Sequence, residues 1–165
     1  MSCLMILADK KEFAMKTAEE ILKEKNRPII SVDPDVTIHE AIRVMVENKI
    51  GAILIKDNGQ IVGIFSERDL LNHSIEEGFD PKTALIKDYM ARKLCAASSD
   101  EPIYKLQDKM LGTFCRHLLI VKDNVYIGLL SAGDITRAGL NEKTRELESV
   151  SWEYYENWRW RKKSS

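Results

Sequence analysis

Apolar residues along this chain switch between two spacings, and the switch happens twice in the same order. Ile38, Ala41, Ile42 and Met45 recur every three or four residues, as on one face of a helix. Thr37 with Glu40 three residues later is a capping box, which places the start of that helix. The unbroken apolar run Ala52-Ile53-Leu54-Ile55 predicts a buried strand. Asp57-Asn58-Gly59 is a hairpin signal, and Ile61 to Phe65 supplies the next strand. A polar turn at Ser66 opens a further helix. With Ile29-Ile30 as a short lead-in strand, the unit reads β-α-β-β-α.

Residues 100–136 repeat the grammar of residues 35–71. Pro102 suits a first helical position. Leu118-Leu119-Ile120-Val121 and Val125 to Leu130 match the two strands, Ser131 matches Ser66, and Cys95-Ala96 matches the lead-in. Asp35 pairs with Asp100, Met45 with Met110, Gly63 with Gly128 and Asp69 with Asp134, all at an offset of 65. Asp57 and Asn58 pair with Asp123 and Asn124 at 66, which implies one residue gained before the strand and one lost in the turn. Met45 and Met110 occupy matched helix positions and are expected in the core. One unit is too small to cover its own sheet, so two should pack together as an α+β fold.

The remaining pieces flank the repeats. Residues 9–26 predict a charged amphipathic helix with Phe13, Ala14, Ala18, Ile21 and Leu22 on one side. Residues 79–94 read as a linker with a short helix led by Asp80-Pro81. Residues 133–163 read as one long helix, or as a helix broken near Gly139. The expected division is an N-terminal helix (1–27), a first repeat (28–78), a linker with the second repeat (79–140) and a C-terminal aromatic and basic helix (141–165).

Composition narrows the function classes. Lys and Arg number 25 and Asp and Glu 26, a net charge of −1, which disfavours a globally basic nucleic-acid binder. Apolar residues make up 44% of the chain, enough for a packed core rather than disorder. No apolar run reaches the roughly 18 residues of a membrane span, and the N-terminal stretch Cys3 to Ala8 lacks the features of a signal peptide. Three cysteines, Cys3, Cys95 and Cys115, show no CxxC spacing. Their odd number argues against a disulfide framework or zinc site and suits a reducing cytoplasm, with Cys95 and Cys115 as small core residues. No Walker loop, nucleophile elbow or metal-ligand spacing occurs, so the chain is not expected to be an enzyme.

The passages GIFSERDLL and GLLSAGDIT fit a Gly-hydrophobic-hydrophobic-Ser-x-x-Asp signature, preceded by NKIGAILIKDNG and CRHLLIVKDN. In these residues the chain resembles CBS domains, and the tandem pair resembles a Bateman module over about residues 28–140. The resemblance implies two repeats related by a pseudo-two-fold axis, and two clefts that each draw on both repeats. It implies a regulatory module for an adenine nucleotide, AMP, ADP or ATP foremost, with NAD or S-adenosylmethionine as further options and no metal required. Carried over by motif, cleft A would hold Ile64, Ser66, Arg68 and Asp69 with Cys95, Arg116 and His117. Cleft B would hold Leu129, Ser131 and Asp134 with Ile30, Ile50 and Gly51. Arg68 and Arg116 would make cleft A the more cationic, with Lys25 and Arg27 the nearest cations to cleft B. A homodimer and a separate effector protein are also implied.

Elementary chemistry offers both a structural and a functional use for Ser-x-x-Asp. It is a capping-box variant at a helix start. The same helix start attracts phosphate, and an ionised carboxylate presents two acceptors suited to the vicinal hydroxyls of a ribose. The C-terminal run SWEYYENWRWRKK carries all three tryptophans. Leu147, Val150, Trp152, Tyr154, Tyr155, Trp158 and Trp160 form an aromatic surface expected to help build a dimer. The alternative is contact with nucleic acid or a membrane through Trp158, Arg159, Trp160, Arg161, Lys162 and Lys163. An interaction module with empty clefts is the other functional class.

Overall fold

The two hairpins show how the repeat is built. In the structure, a computed structural model describing residues 15–161, β2 (Ala52–Asp57) runs antiparallel to β3 (Gln60–Ser66), and β5 (His117–Lys122) to β6 (Val125–Ser131). Ile53 faces Phe65 across the first pair, and Leu118 faces Leu130 across the second. Both hairpins turn through two residues with positive φ, Asn58 and Gly59 at 45° and 86°, Asp123 and Asn124 at 50° and 62°. Such turns match the right-handed twist of the strands they join. The repeat therefore keeps an offset of 65 through strand and turn alike, and the expected shift to 66 is incorrect. The turn letters Asp-Asn recur one residue out of step. A true one-residue slip would have moved every core side chain to the wrong face.

Each sheet has three strands. β1 (Ser31–Val32) lies parallel to β2, and β4 (Ala96–Ser98) lies parallel to β5, giving the orders β1-β2-β3 and β4-β5-β6. Helix α2 (Ile38–Asn48) covers the first sheet and α5 (Ile103–Thr113) the second. Thr37 and Glu40 close a reciprocal cap on α2: Glu40 N–H donates to Thr37 Oγ1, and Thr37 N–H donates to Glu40 Oε2 at 2.8 Å. Pro102 is the N-cap of α5 rather than its first helical residue. Ile38, Ala41, Met45, Ile53, Ile55 and Phe65 form one buried cluster; Ile103, Leu106, Met110, Leu118, Ile120 and Leu130 form its counterpart. Leu54 and Leu119 point to the opposite faces by strand alternation and are each only 1% exposed. On those second faces, Leu119 of the second repeat and Ile64 of the first line one cavity.

The leading segments cross over. Helix α1 (Ala18–Lys25) precedes the first repeat but packs into the core of the second, with Ala18 N–H donating to Glu101 O and Ile103 N–H to Lys16 O. Helix α4 (Ile86–Tyr89) precedes the second repeat but packs into the core of the first, with Ile38 N–H donating to Ala84 O. The signature glycines make room for these crossings. A Cβ on Gly128 would sit 2.6 Å from Leu22, and one on Gly63 would collide with Met90. The segment before each repeat is thus a lid on the other, a relationship that the sequence pattern does not show.

Helix α3 (Glu67–His73) follows β3, and α6 (Ala132–Arg161) follows β6 as one 30-residue helix. Gly139 does not break α6; it lets the helix pass close to Gln107 and Ile103 of α5. Leu147 and Trp152 are 70% and 68% exposed. The expectations for Cys3, Phe13 and Ala14, for the side chains of Val150, Tyr154, Tyr155, Trp158 and Trp160, and for Lys162 and Lys163 lie outside the described residues. Among those described, no helix is long and apolar enough to cross a membrane.

The cysteine expectation is corrected in part: Cys95 packs against the core of the second repeat as expected, but its sulfur is paired. Cys95 and Cys115 are joined in a disulfide, with Cα atoms 6.6 Å apart. An odd count does not prevent one pair. Parallel pairing of β4 with β5 brings together residues 20 apart in sequence, so the cysteine count argues nothing about compartment.

Candidate functional site

At the end of β3 the chain turns from strand to helix, and Ser66 and Asp69 close that turn. Ser66 donates its backbone N–H and its Oγ–H to Asp69 Oδ2, at 2.8 and 2.7 Å. At the end of β6, Ser131 donates both groups to Asp134 Oδ2 at the same two distances. The capping use of the motif is therefore real. In both turns it occupies Oδ2, while Oδ1 accepts no hydrogen bond among the described residues.

Each of these carboxylates lines a cavity walled by both repeats. The first cavity, cleft A, has a volume of about 190 Å³. Ile64, Ser66, Arg68 and Asp69 come to it from the first repeat, and Cys95, Arg116 and His117 from the second. The second cavity, cleft B, has a volume of about 590 Å³ and brings Leu129, Ser131 and Asp134 together with Ile50 and Gly51. Ile30 does not line cleft B; it packs against the core cluster of the first repeat.

The expected difference in charge between the clefts is not found. Cleft A is lined by Arg68, Lys93 and Arg116, and cleft B by Lys25, Arg27, Lys49 and Arg137. The cations of cleft B come from the crossed-over α1 and the chain just after it, from the end of α2 and from α6, not from positions adjacent to the motif. One signal for Arg137 was in the sequence. Asp134, Arg137, Ala138 and Asn141 fall at i, i+3, i+4 and i+7, one helix face, and all four line the cleft.

The two carboxylates differ in their partners. Lys25 Nζ donates to Asp134 Oδ2 and to Leu129 O, both at 2.8 Å. Burial raises the Asp134 carboxyl, but hydrogen bonds from Lys25 and Ser131 outweigh it and hold the group below the usual range. His117 lines both cavities. Burial, with the neighbouring Arg116 and Lys25 charges, pushes its pKa down to about 4, so its ring is neutral near pH 7. Its register counterpart in the first repeat is Ala52, so only one side of the pseudo-two-fold carries an imidazole. Among the described residues no cluster of side chains suits a metal ion.

The model of the CBS domain matches residues 18–76 and 86–141. A mitochondrial CBS domain-containing protein of Arabidopsis thaliana, CBSX3, is 26% identical over 148 residues, covering 84% of this chain and 72% of its own. The crystal structure of the CBS-domain containing protein ATU1752 from Agrobacterium tumefaciens is 28% identical and superposes with a TM-score of 0.71, covering 74% of this chain and 98% of that one. The CBS domain pair of protein MJ0100, solved in complex with 5-methylthioadenosine and S-adenosyl-L-methionine, is 23% identical with a TM-score of 0.67, covering 78% of this chain and 98% of that one.

Proposed function

This chain belongs to the CBS-domain family, and we propose that it is a regulatory module that senses an adenosine-containing ligand in the clefts between its repeats. The observation that carries this reading is the pair of Ser-held carboxylates, Asp69 and Asp134, each lining a cavity walled by both halves. A free Oδ1 beside a helix start presents an acceptor to ribose hydroxyls while the cations opposite neutralise phosphate. Ile64 and Leu129 supply the apolar contact for the adenine ring. At about 590 Å³, cleft B falls in the usual size range for small-molecule sites, and Arg27, Lys49 and Arg137, beside the Lys25–Asp134 pair, suit a nucleoside polyphosphate. The ligands of the MJ0100 domain pair, both adenosine derivatives, support the class. AMP, ADP and ATP are the first choices.

A ligand that draws on both halves favours one arrangement of them, and that bias is the output, read by a separate partner or by a second copy of the chain. The exposed Leu147 and Trp152 on α6 support a homodimer built in part by that helix. The test is a thermal melt with AMP, ADP, ATP, NAD and S-adenosylmethionine. A ligand that binds only the folded chain raises its melting temperature in step with concentration. No shift with any of the five would favour an interaction module with empty clefts.

A further inference from the structure

We propose that Cys95 and Cys115 form a redox lock on the wall of cleft A, closed as a disulfide and opened by thiol exchange. Both residues line that cleft, and Arg116 and His117 follow Cys115 directly in the same wall.

The comparison with the first repeat shows what the lock replaces. Where α2 ends, Lys49 N–H donates to Val46 O at 3.2 Å and Ile50 N–H to Met45 O at 3.0 Å, so backbone bonds close the turn into β2. At the matched end of α5, neither Phe114 N–H nor Cys115 N–H makes a backbone bond among the described residues. Phe114 is 86% exposed, with φ at 54°. At an offset of 65, Cys95 and Cys115 stand where the first repeat has Ile30 and Ile50, two apolar residues packed against the core. The second repeat therefore holds its helix-to-strand turn through a covalent bond where the first uses hydrogen bonds and apolar packing. Beyond the disulfide, the wall keeps the bond from Ala132 N–H to Arg116 O at 2.9 Å.

The chemistry is thiol–disulfide exchange. A thiolate of a reducing dithiol attacks one sulfur, the other cysteine leaves as a thiolate and takes a proton, and a second attack releases the first. The reductant becomes a disulfide, and two electrons and two protons pass to the pair. Both cysteines are partly exposed, and cations of the kind that line this cleft favour the thiolate form needed for exchange. Reduction frees the segment from Phe114 to Arg116, and a wall that holds its binding geometry for only about a fifth of the time weakens affinity about fivefold. By reciprocity, a ligand in cleft A shifts the thiol–disulfide equilibrium towards the disulfide.

This inference rests on the nucleotide reading of cleft A, so its test has readouts that do not need a ligand. The full chain carrying Cys3→Ser has only two thiols. It is equilibrated in oxidised or reduced glutathione, alkylated with iodoacetamide and weighed. Hydrogen exchange at Ala132, whose N–H donates to Arg116 O, and calorimetry with AMP are followed in both forms. The expected result is no alkylation in the oxidised form, two alkylations in the reduced form, faster exchange at Ala132 on reduction, and AMP held about fivefold more weakly. The double variant Cys95→Ile with Cys115→Ile, which copies the first repeat, should be insensitive to redox. Two free thiols in oxidised glutathione, or equal exchange at Ala132 in both forms, would overturn the lock. Equal or tighter AMP binding on reduction overturns its control of the cleft while leaving the nucleotide reading intact. AMP binding to neither form, with the thiol and exchange results as expected, removes AMP as the ligand and leaves the lock standing.

Discussion

Asp69 and Asp134 occupy matched positions on matched turns, yet only Asp134 carries a lysine, and only the wall opposite Asp69 carries a disulfide. The strand registers, hairpin turns and Ser–Asp geometry of the two halves coincide at an offset of 65. What differs lies at the margins: the leader that crosses over, the side chain after a helix cap, the face of the helix that follows. The differences are large enough to make one cleft about 190 Å³ and the other about 590 Å³. Two cavities on one backbone plan can thus differ in size and lining without disturbing the fold that carries them.

The comparison can be broken first at the cores. Phe65 and Leu130 are register-matched and fully buried. Phe65→Ala should cost about 3–5 kcal/mol and Leu130→Ala about 2–5 kcal/mol. Because each leader is packed into the other half, both variants should shift one shared denaturant transition. Two separate transitions, each moved by only one substitution, would mean that the halves fold independently.

A smaller effect tests the asymmetry at His117. Its folded pKa is about 4 against about 6.5 unfolded, so between those values the unfolded chain binds more protons. Stability is then full above about pH 6.5 and declines as the pH falls towards 4, by at most about 3 kcal/mol from this group. His117→Gln should flatten that part of the profile in urea melts across pH. An unchanged slope between pH 6.5 and 4 would show that the ring is not held neutral.

Smaller again is the difference in helix caps. Thr37→Ala removes the reciprocal cap on α2 and should cost about 1 kcal/mol. Helix α5 has no side-chain cap at Pro102, so Pro102→Ala should change stability by less, read in the same melts.

Much of this architecture could be read from the sequence because its causes are local. Apolar spacing marked α2 and the strands, and Thr37 with Glu40 marked a cap that the structure contains. The Ser-x-x-Asp turns were found because a helix start needs such residues wherever it occurs. The crossing of α1 and α4 could not be read, since Ala18 and Ile86 look like ordinary helix residues and the exchange is a matter of tertiary partner choice. Lys25 and Arg27 of cleft B could be named from the sequence, but Lys49 and Arg137 could not, since they come from elements far apart in the chain. The disulfide was misjudged because a count of cysteines says nothing of which strands will lie side by side. The 66-residue offset shows the opposite hazard, a match of letters that strand register overrules.

In the proposed function the two carboxylates hold the ribose of an adenosine-containing ligand. Calorimetric titration of the unmodified chain, Asp69→Ala, Asp134→Ala and the double variant, with whichever of the five ligands gives a thermal shift, tests it most directly. At an occupied cleft, the matching single variant should lose about 1.5–3 kcal/mol, roughly tenfold or more in affinity, and the double variant should lose binding at both clefts. Affinities unchanged in all three variants would contradict the claim and return Ser-x-x-Asp to a purely structural role.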